Sequence, residues 1–285
     1  MKQHYYLVSS LFDLLLDGKA PVSLENFMLT LEDLLDKEEF HELRKLFLVN
    51  DIKVALQKQP EGHPPVKPVC WSKDQLAEML QGVDFSSKAE ADRARSKLGP
   101  VDAALSSFYA NVEAYVSQPL ADWFLFELEL RNVTTALALR KRRQPFHESL
   151  IPVGYAAQQI LTSSAIDFGL TRELPYMSRL IEIYEEKQLH SMERDKASIV
   201  GQVDPDLLVL EKYLDSLRWD WLTENWEAQT FGTLAVYSYT LKLAMVERWN
   251  GLSEENGEKL FNKLVNQIKG SIVFSDDLFI GRGKK

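Results

Sequence analysis

The sequence predicts an all-α protein. Apolar residues return every three or four positions along most of the chain, and alternating β-branched runs bounded by turn residues are few. The 285 residues, 45% of them hydrophobic, are enough for one large domain or two small ones with a sizeable core.

Taken in order, Ser23 is placed to cap a helix whose Leu24, Phe27, Met28, Leu31, Leu34 and Leu35 form a buried stripe. A second helix is expected from 37 to 59, with Phe40, Leu43, Phe47, Val54 and Leu56 on its apolar side. Prolines at 60, 64, 65 and 68 then remove helix hydrogen bonds and predict a linker at 59–69. Ser72 should cap a short helix through Leu80. Gly99-Pro100 punctuates a turn before a helical stretch from 101 to 143, which Pro119 should divide or kink. Gln144-Pro145 ends it. A more irregular passage through Pro152, Gly154 and Gly169 leads to a helix at 176–188. Asp204-Pro205 reads as a cap with proline in the first helical position. Helices are then expected at 207–221, 228–249 and 254–269, followed by a frayed tail at 281–285.

Lysines and arginines number 33 against 42 acids, a net charge of −9, which is the wrong sign for a general nucleic-acid binder. Cys70 is the one cysteine, so a disulfide framework and multi-cysteine zinc sites are excluded and a reducing, cytoplasmic compartment is expected. Asp13 and Asp17 break the opening apolar stretch, so no secretory signal is expected. The uncharged run from Ser149 to Ile166 contains Pro152, Gly154, Gln158 and Gln159 and is too polar for a bilayer span of about 20 apolar residues.

Motifs that carry chemistry are scarce. Asp167-Phe168-Gly169 matches the magnesium-binding tripeptide of protein kinases, but no His-Arg-Asp loop, glycine-rich loop or strand lysine accompanies it. Phosphate-loop and dinucleotide glycine patterns are absent, as is a Gly-x-Ser-x-Gly elbow. Glu38 and His41 have the Glu-x-x-His spacing of a metal-binding helix, yet no second copy exists, and His4, His63, His147 and His190 are scattered. Cys70, beside Trp71, reads as a small buried hydrophobe. No catalytic, cofactor-binding or metal-ligating residue is therefore expected, nor a small-molecule substrate.

Two features could carry interaction. Arg140-Lys141-Arg142-Arg143 is the one dense basic cluster, at the expected C-terminus of a helix. It can complement the helix dipole, or it can contact an acidic partner or anionic headgroups. Trp219, Trp221, Trp226 and Trp249 gather in the last third, where core packing is the default and an interface the alternative.

Four segments have a familial look: Tyr5-Tyr6-Leu7-Val8, the run Leu46-Phe47-Leu48-Val49-Asn50-Asp51, the helix from Phe126 through Asn132-Val133 to Arg140, and Tyr237 to Trp249. In these the sequence resembles the C-type subunits of the archaeal and bacterial V/A-type rotary ATPases, whose eukaryotic equivalents are the d-type subunits, and more closely a bacterial branch encoded with V-type ATPase genes. The resemblance implies a single all-helical domain over 1–285, a multi-helix funnel of three related modules about a pseudo-threefold axis. It implies a non-catalytic central-stalk rotor subunit, peripheral on the cytoplasmic face of the membrane. The role implied is to couple the D- and F-type shaft subunits to the proteolipid ring for ATP-driven proton or sodium transport, with hydrolysis elsewhere in the complex. An acidic residue followed by Asn three positions on, at Glu129/Asn132 and Glu247/Asn250, is the expected repeat, with Asp51/Val54 as a degenerate first copy. The alternative is a stand-alone helical scaffold or regulatory protein-binding module.

Overall fold

The computed structural model describes residues 3–56, 68–85, 99–194, 205–227 and 231–251. Most of the expected linker at 59–69, the Asp204 cap, the helix at 254–269 and the tail at 281–285 lie outside the described residues, as do the side chains of His63 and His190.

Local chemistry accounts for about half of the helix starts. α1 (Tyr5–Ser9) is a single turn, docked where the His4 N–H donates to the Phe231 carbonyl at 2.7 Å. α2 (Leu24–Leu34) begins where the Ser23 hydroxyl accepts the Asn26 N–H, as the sequence predicts. The helix expected over 37–59 is instead two. Asp36 forms a capping box with Glu39 at the head of α3 (Lys37–Arg44), Lys45–Phe47 tighten into a 3₁₀ turn, and α4 (Leu48–Leu56) follows. Leu46, Phe47 and Leu48 are all buried. Three consecutive residues cannot share one face of an α-helix, and the tighter turn swings the chain so that each reaches the core.

α5 (Lys73–Met79) carries the capping box of Ser72 and Gln75. The stretch expected over 101–143 divides twice. α6 (Pro100–Ala110) has proline in its first turn, Asn111 interrupts, α7 (Val112–Tyr115) adds one turn, and α8 (Gln118–Lys141) starts after Ser117. Pro119 sits in the first turn of α8, where its missing N–H costs nothing, so it opens a helix and does not kink one.

The passage around Gly154, expected to be irregular, contains α9 (Tyr155–Thr162), which buries Ala156, Ala157 and Ile160. Small alanines give little hydrophobic contrast, and this hides the period. α10 (Met177–Arg194), α11 (Pro205–Asn225) and α12 (Thr233–Gly251) complete the described helices, α11 opening on the expected proline. Among the described residues the fold is all-α, and the one extended pairing is an isolated bridge between Gln3 and Gly232. No described helix is long and apolar enough to cross a membrane.

Two apolar clusters form the core, and α8 threads both. Trp123, Phe124 and Leu128 belong to the cluster built on α2 to α7 and α12, whereas Leu130, Val133, Ala136 and Leu137 belong to the one shared with α9, α10 and α11. From Thr233 to Leu243, α12 is buried on every side. Its polar groups are accordingly paired: Ser238 donates to Glu227 at 2.7 Å, Thr240 to the Val236 carbonyl at 2.8 Å, and Lys242 to Glu227 at 2.6 Å. Trp226 is core, with Trp123 and Trp221 at ring-centre distances of 6.0 and 5.7 Å, as the packing default anticipates.

Three helix-borne side chains pin the backbone of distant segments. Buried Asn132 on α8 donates from Nδ2 to the Ile151 carbonyl at 2.9 Å and accepts the Ile151 N–H at 3.1 Å. Asp51 on α4 accepts the Cys70 N–H at 3.1 Å through Oδ1. Both clasps span 19 residues, and each fixes a connector just ahead of a short helix, α9 or α5. Glu247 on α12 accepts the Leu24 N–H at 3.1 Å. Glu129, the expected acidic partner in the second repeat, instead accepts the Tyr176 hydroxyl, so by contact the counterpart of Asp51 is Asn132.

Candidate functional site

Where α4, α6, α8 and α11 approach one another, they bring together a cluster of charged side chains. On α8 the four-residue spacing puts Glu127 and Arg131 on one face, and on α11 the three-residue spacing does the same for Asp215 and Arg218. Arg131 reaches Asp102 of α6 at 2.6 Å. Arg218 bridges two helices, binding Glu127 through Nε at 2.7 Å and Asp215 through Nη1 at 2.9 Å. Asp215, 1% exposed, also accepts from Arg248 and from the Trp249 indole at 2.8 Å, which ties α12 to the same network. Burial works against the charge of Arg218, but Glu127 and then Asp215 outweigh it and raise the guanidinium above its ordinary value. Tyr109 of α6 is raised by burial first and then by Glu127.

Lys53 of α4 completes the cluster and differs from its neighbours, because it makes no ion pair with a described residue. Its side chain is exposed, yet its ammonium is held below the ordinary lysine value, first by burial and then by Arg131, with Glu127 and Asp102 acting the other way. The arrangement is suited to recognising charge: paired, hydrogen-bonded arginines form fixed walls, and one cation is left to take a carboxylate from outside.

The basic cluster lies elsewhere. Arg140 is about nine residues beyond Arg131 on α8, or about 13 Å along the axis. It is half-buried and donates to the carbonyls of Ala165 and Ile166 at 2.7 and 2.8 Å. Lys141 donates to the Tyr184 carbonyl at 2.6 Å. Arg142 and Arg143 are exposed, Arg143 at φ +53° in the turn that ends the helix. The Asp167-Phe168-Gly169 tripeptide is a tight turn in which Asp167 accepts from the Gly169 N–H at 3.0 Å and the Thr171 hydroxyl at 2.7 Å, with Phe168 buried beneath. His41 packs against the Trp71 ring at 4.9 Å. No group of three or more His, Cys, Asp or Glu side chains placed to hold a metal occurs among the described residues. An open cleft of about 510 Å³ runs beside α5, lined by Lys73, Asp74, Gln81 and Phe85 among others.

The charged cluster is not legible in the sequence. Its charges come from residues 53 to 218, and the pairs Glu127/Arg131 and Asp215/Arg218 are the one local signal, common at such spacings in a chain with 42 acids and 33 bases.

A search of curated proteins finds no match, and a search of solved structures finds none. Residues 1–272 match a family model described as protein of unknown function, DUF2764. A match over nearly the whole length settles membership, and the chain belongs to the DUF2764 family.

Proposed function

We propose that the chain is a non-catalytic helical protein-binding module whose charged cluster receives an acidic segment of a partner protein. Lys53 carries this reading: it is the accessible cation of the cluster without an ion-pair partner among the described residues, set among arginines already fixed by Asp102, Glu127 and Asp215. A carboxylate entering there favours the charged form of Lys53 and needs no rearrangement of the walls.

The equal span of the Asp51 and Asn132 clasps supports a more specific form of the same reading. Two helices that each pin a connector 19 residues on are what a chain of related helical modules requires. Together with the sequence resemblance, this favours a V/A-type ATPase central-stalk subunit of three modules in a funnel, with shaft subunits and the proteolipid ring as partners and a position at the cytoplasmic face of the membrane. In that form the exposed pair Arg142 and Arg143, next to Arg140 and Lys141, provides a second contact.

Affinity purification of the tagged chain from gently solubilised native membranes, with mass spectrometry of what is retained, tests both forms. Recovery of shaft and ring subunits in fixed ratio supports the rotor reading. Stoichiometric recovery of another protein, lost on Lys53→Glu, supports the module alone. Recovery of the bare chain from cells holding assembled ATPase removes the rotor reading, and unchanged recovery of every partner by Lys53→Glu removes the charged cluster.

A further inference from the structure

Residues 68–72, just ahead of α5, are strapped down by side chains from the preceding helices. Asn50 donates to the Pro68 carbonyl at 2.9 Å. The Cys70 N–H donates to Asp51 Oδ1 at 3.1 Å, and the Arg44 guanidinium donates to the Cys70 carbonyl. Arg44 also lies 3.9 Å over the Trp71 ring, whose Nε1 donates to the Arg44 carbonyl at 3.4 Å. Within this strap one group is left over. Asp51 is 1% exposed, and its Oδ2 is buried without a hydrogen-bond partner.

The second clasp reveals what is missing. At Asn132 an amide performs the same task with two contacts, one accepting from and one donating to the same backbone residue. A carboxyl can supply that acceptor and donor pair only when it carries a proton, and the Cys70 carbonyl has a second lone pair to receive it. Ionised, Asp51 has acceptors alone and leaves one of them stranded.

We propose that Asp51 is a proton-operated latch on the 68–72 connector: a bound proton completes a two-point clasp on Cys70, and its loss leaves one point and loosens the strap. Among the described residues, the titratable and charged groups that face Asp51 are Arg44 from α3 and the Cys70 thiol from the connector. Arg44 favours the ionised carboxyl but is already engaged with the Cys70 carbonyl and the Trp71 ring. Burial outweighs Arg44 and the backbone N–H groups of Cys70 and Trp71, which also favour the ionised form, and lifts Asp51 to about 7, so the latch changes state close to neutrality. The latch does not depend on the charged cluster: Lys53 lies two residues further along α4, about 200° around the helix.

The test is a titration of the whole chain by NMR, following the Asp51 carboxyl carbon and the exchange protection of the Cys70 amide, corrected for intrinsic exchange, in the native sequence and in Asp51→Asn. The carboxyl is expected to titrate near neutrality, and Cys70 protection to fall at least about tenfold from about pH 6 to about pH 8. Asp51→Asn is expected to stay protected throughout. A carboxyl that titrates in the ordinary aspartate range overturns the proposal. So does protection that is flat in the native chain, or that falls equally in the variant. The first readout needs no substitution and stands even if Asp51→Asn folds poorly.

Discussion

The Arg140 guanidinium lies 3.6 Å from the centre of the Phe168 ring while it donates to the carbonyls of Ala165 and Ile166. One side chain thus fastens the end of α8 to the turn that holds Phe168 at φ +54° and Gly169 at φ +74°. The turn is a packing device, and Arg140 is its clamp.

Arg140→Ala is therefore expected to destabilise the protein by about 1–3 kcal/mol, through lost charge-assisted hydrogen bonds and the cation–π contact. Arg142→Ala and Arg143→Ala, at exposed positions, should stay within about 0.5 kcal/mol. Urea denaturation of the three variants checks the contrast, and equal losses would refute the distinction drawn within the cluster.

Asn132 satisfies both backbone groups of Ile151, which is buried. Asn132→Leu keeps the branched outline of the side chain but removes both hydrogen-bonding groups, so two buried polar groups are stranded at a cost of about 2–5 kcal/mol. Thermal unfolding should register the loss, with amide exchange at Ile151 rising most.

Folding raises the Asp51 carboxyl from 3.8 to about 7. Between these values the folded chain holds a proton that the unfolded chain has released, so this group's contribution is fully present below the lower value and is lost as pH rises through the upper. Asp51→Asn does not titrate. Its stability advantage over the native chain should grow from about pH 4 to about pH 7 and then level off, reaching no more than about 4 kcal/mol at about 1.4 kcal/mol per pKa unit. Denaturation midpoints at a series of pH values measure it, and a constant difference would contradict the sign.

The Cys70 thiol is pushed up to about 12, by burial first and then by Asp51. With almost no thiolate at neutral pH, it should resist alkylation in the folded protein and react on unfolding. Mass spectrometry after iodoacetamide, with and without urea, reads this directly. Rapid labelling of the native chain would mean that the strap over Cys70 opens far more often than its contacts imply.

Ser23, Ser72 and Pro205 marked helix starts because capping is settled within a few residues of the chain. The break at Lys45–Phe47 was not visible, since nothing in that run disfavours a helix and it is the need to bury Leu46, Phe47 and Leu48 together that bends it. Pro119 was placed at a division, but its role as the opening of α8 depends on Asn111 and Ser117 before it. The basic cluster was found as a composition feature, and the sequence held no sign that Arg140 faces inward.

The sequence by itself determined the all-α class, most helix positions and the absence of a recognised catalytic motif, because periodicity, capping and motif spacing are properties of neighbours along the chain. Tertiary structure alone decided which charges meet. Lys53, Asp102, Glu127, Arg131 and Arg218 come from four helices, and whether each is paired, stranded or open to a partner depends on desolvation and on distances of a few ångströms across helix interfaces. Asp51 carries the same lesson in one residue: its identity is written in the chain, but its orphan oxygen exists only because the fold buries the carboxyl, pairs Oδ1 with the Cys70 N–H and leaves Oδ2 without a hydrogen-bond partner.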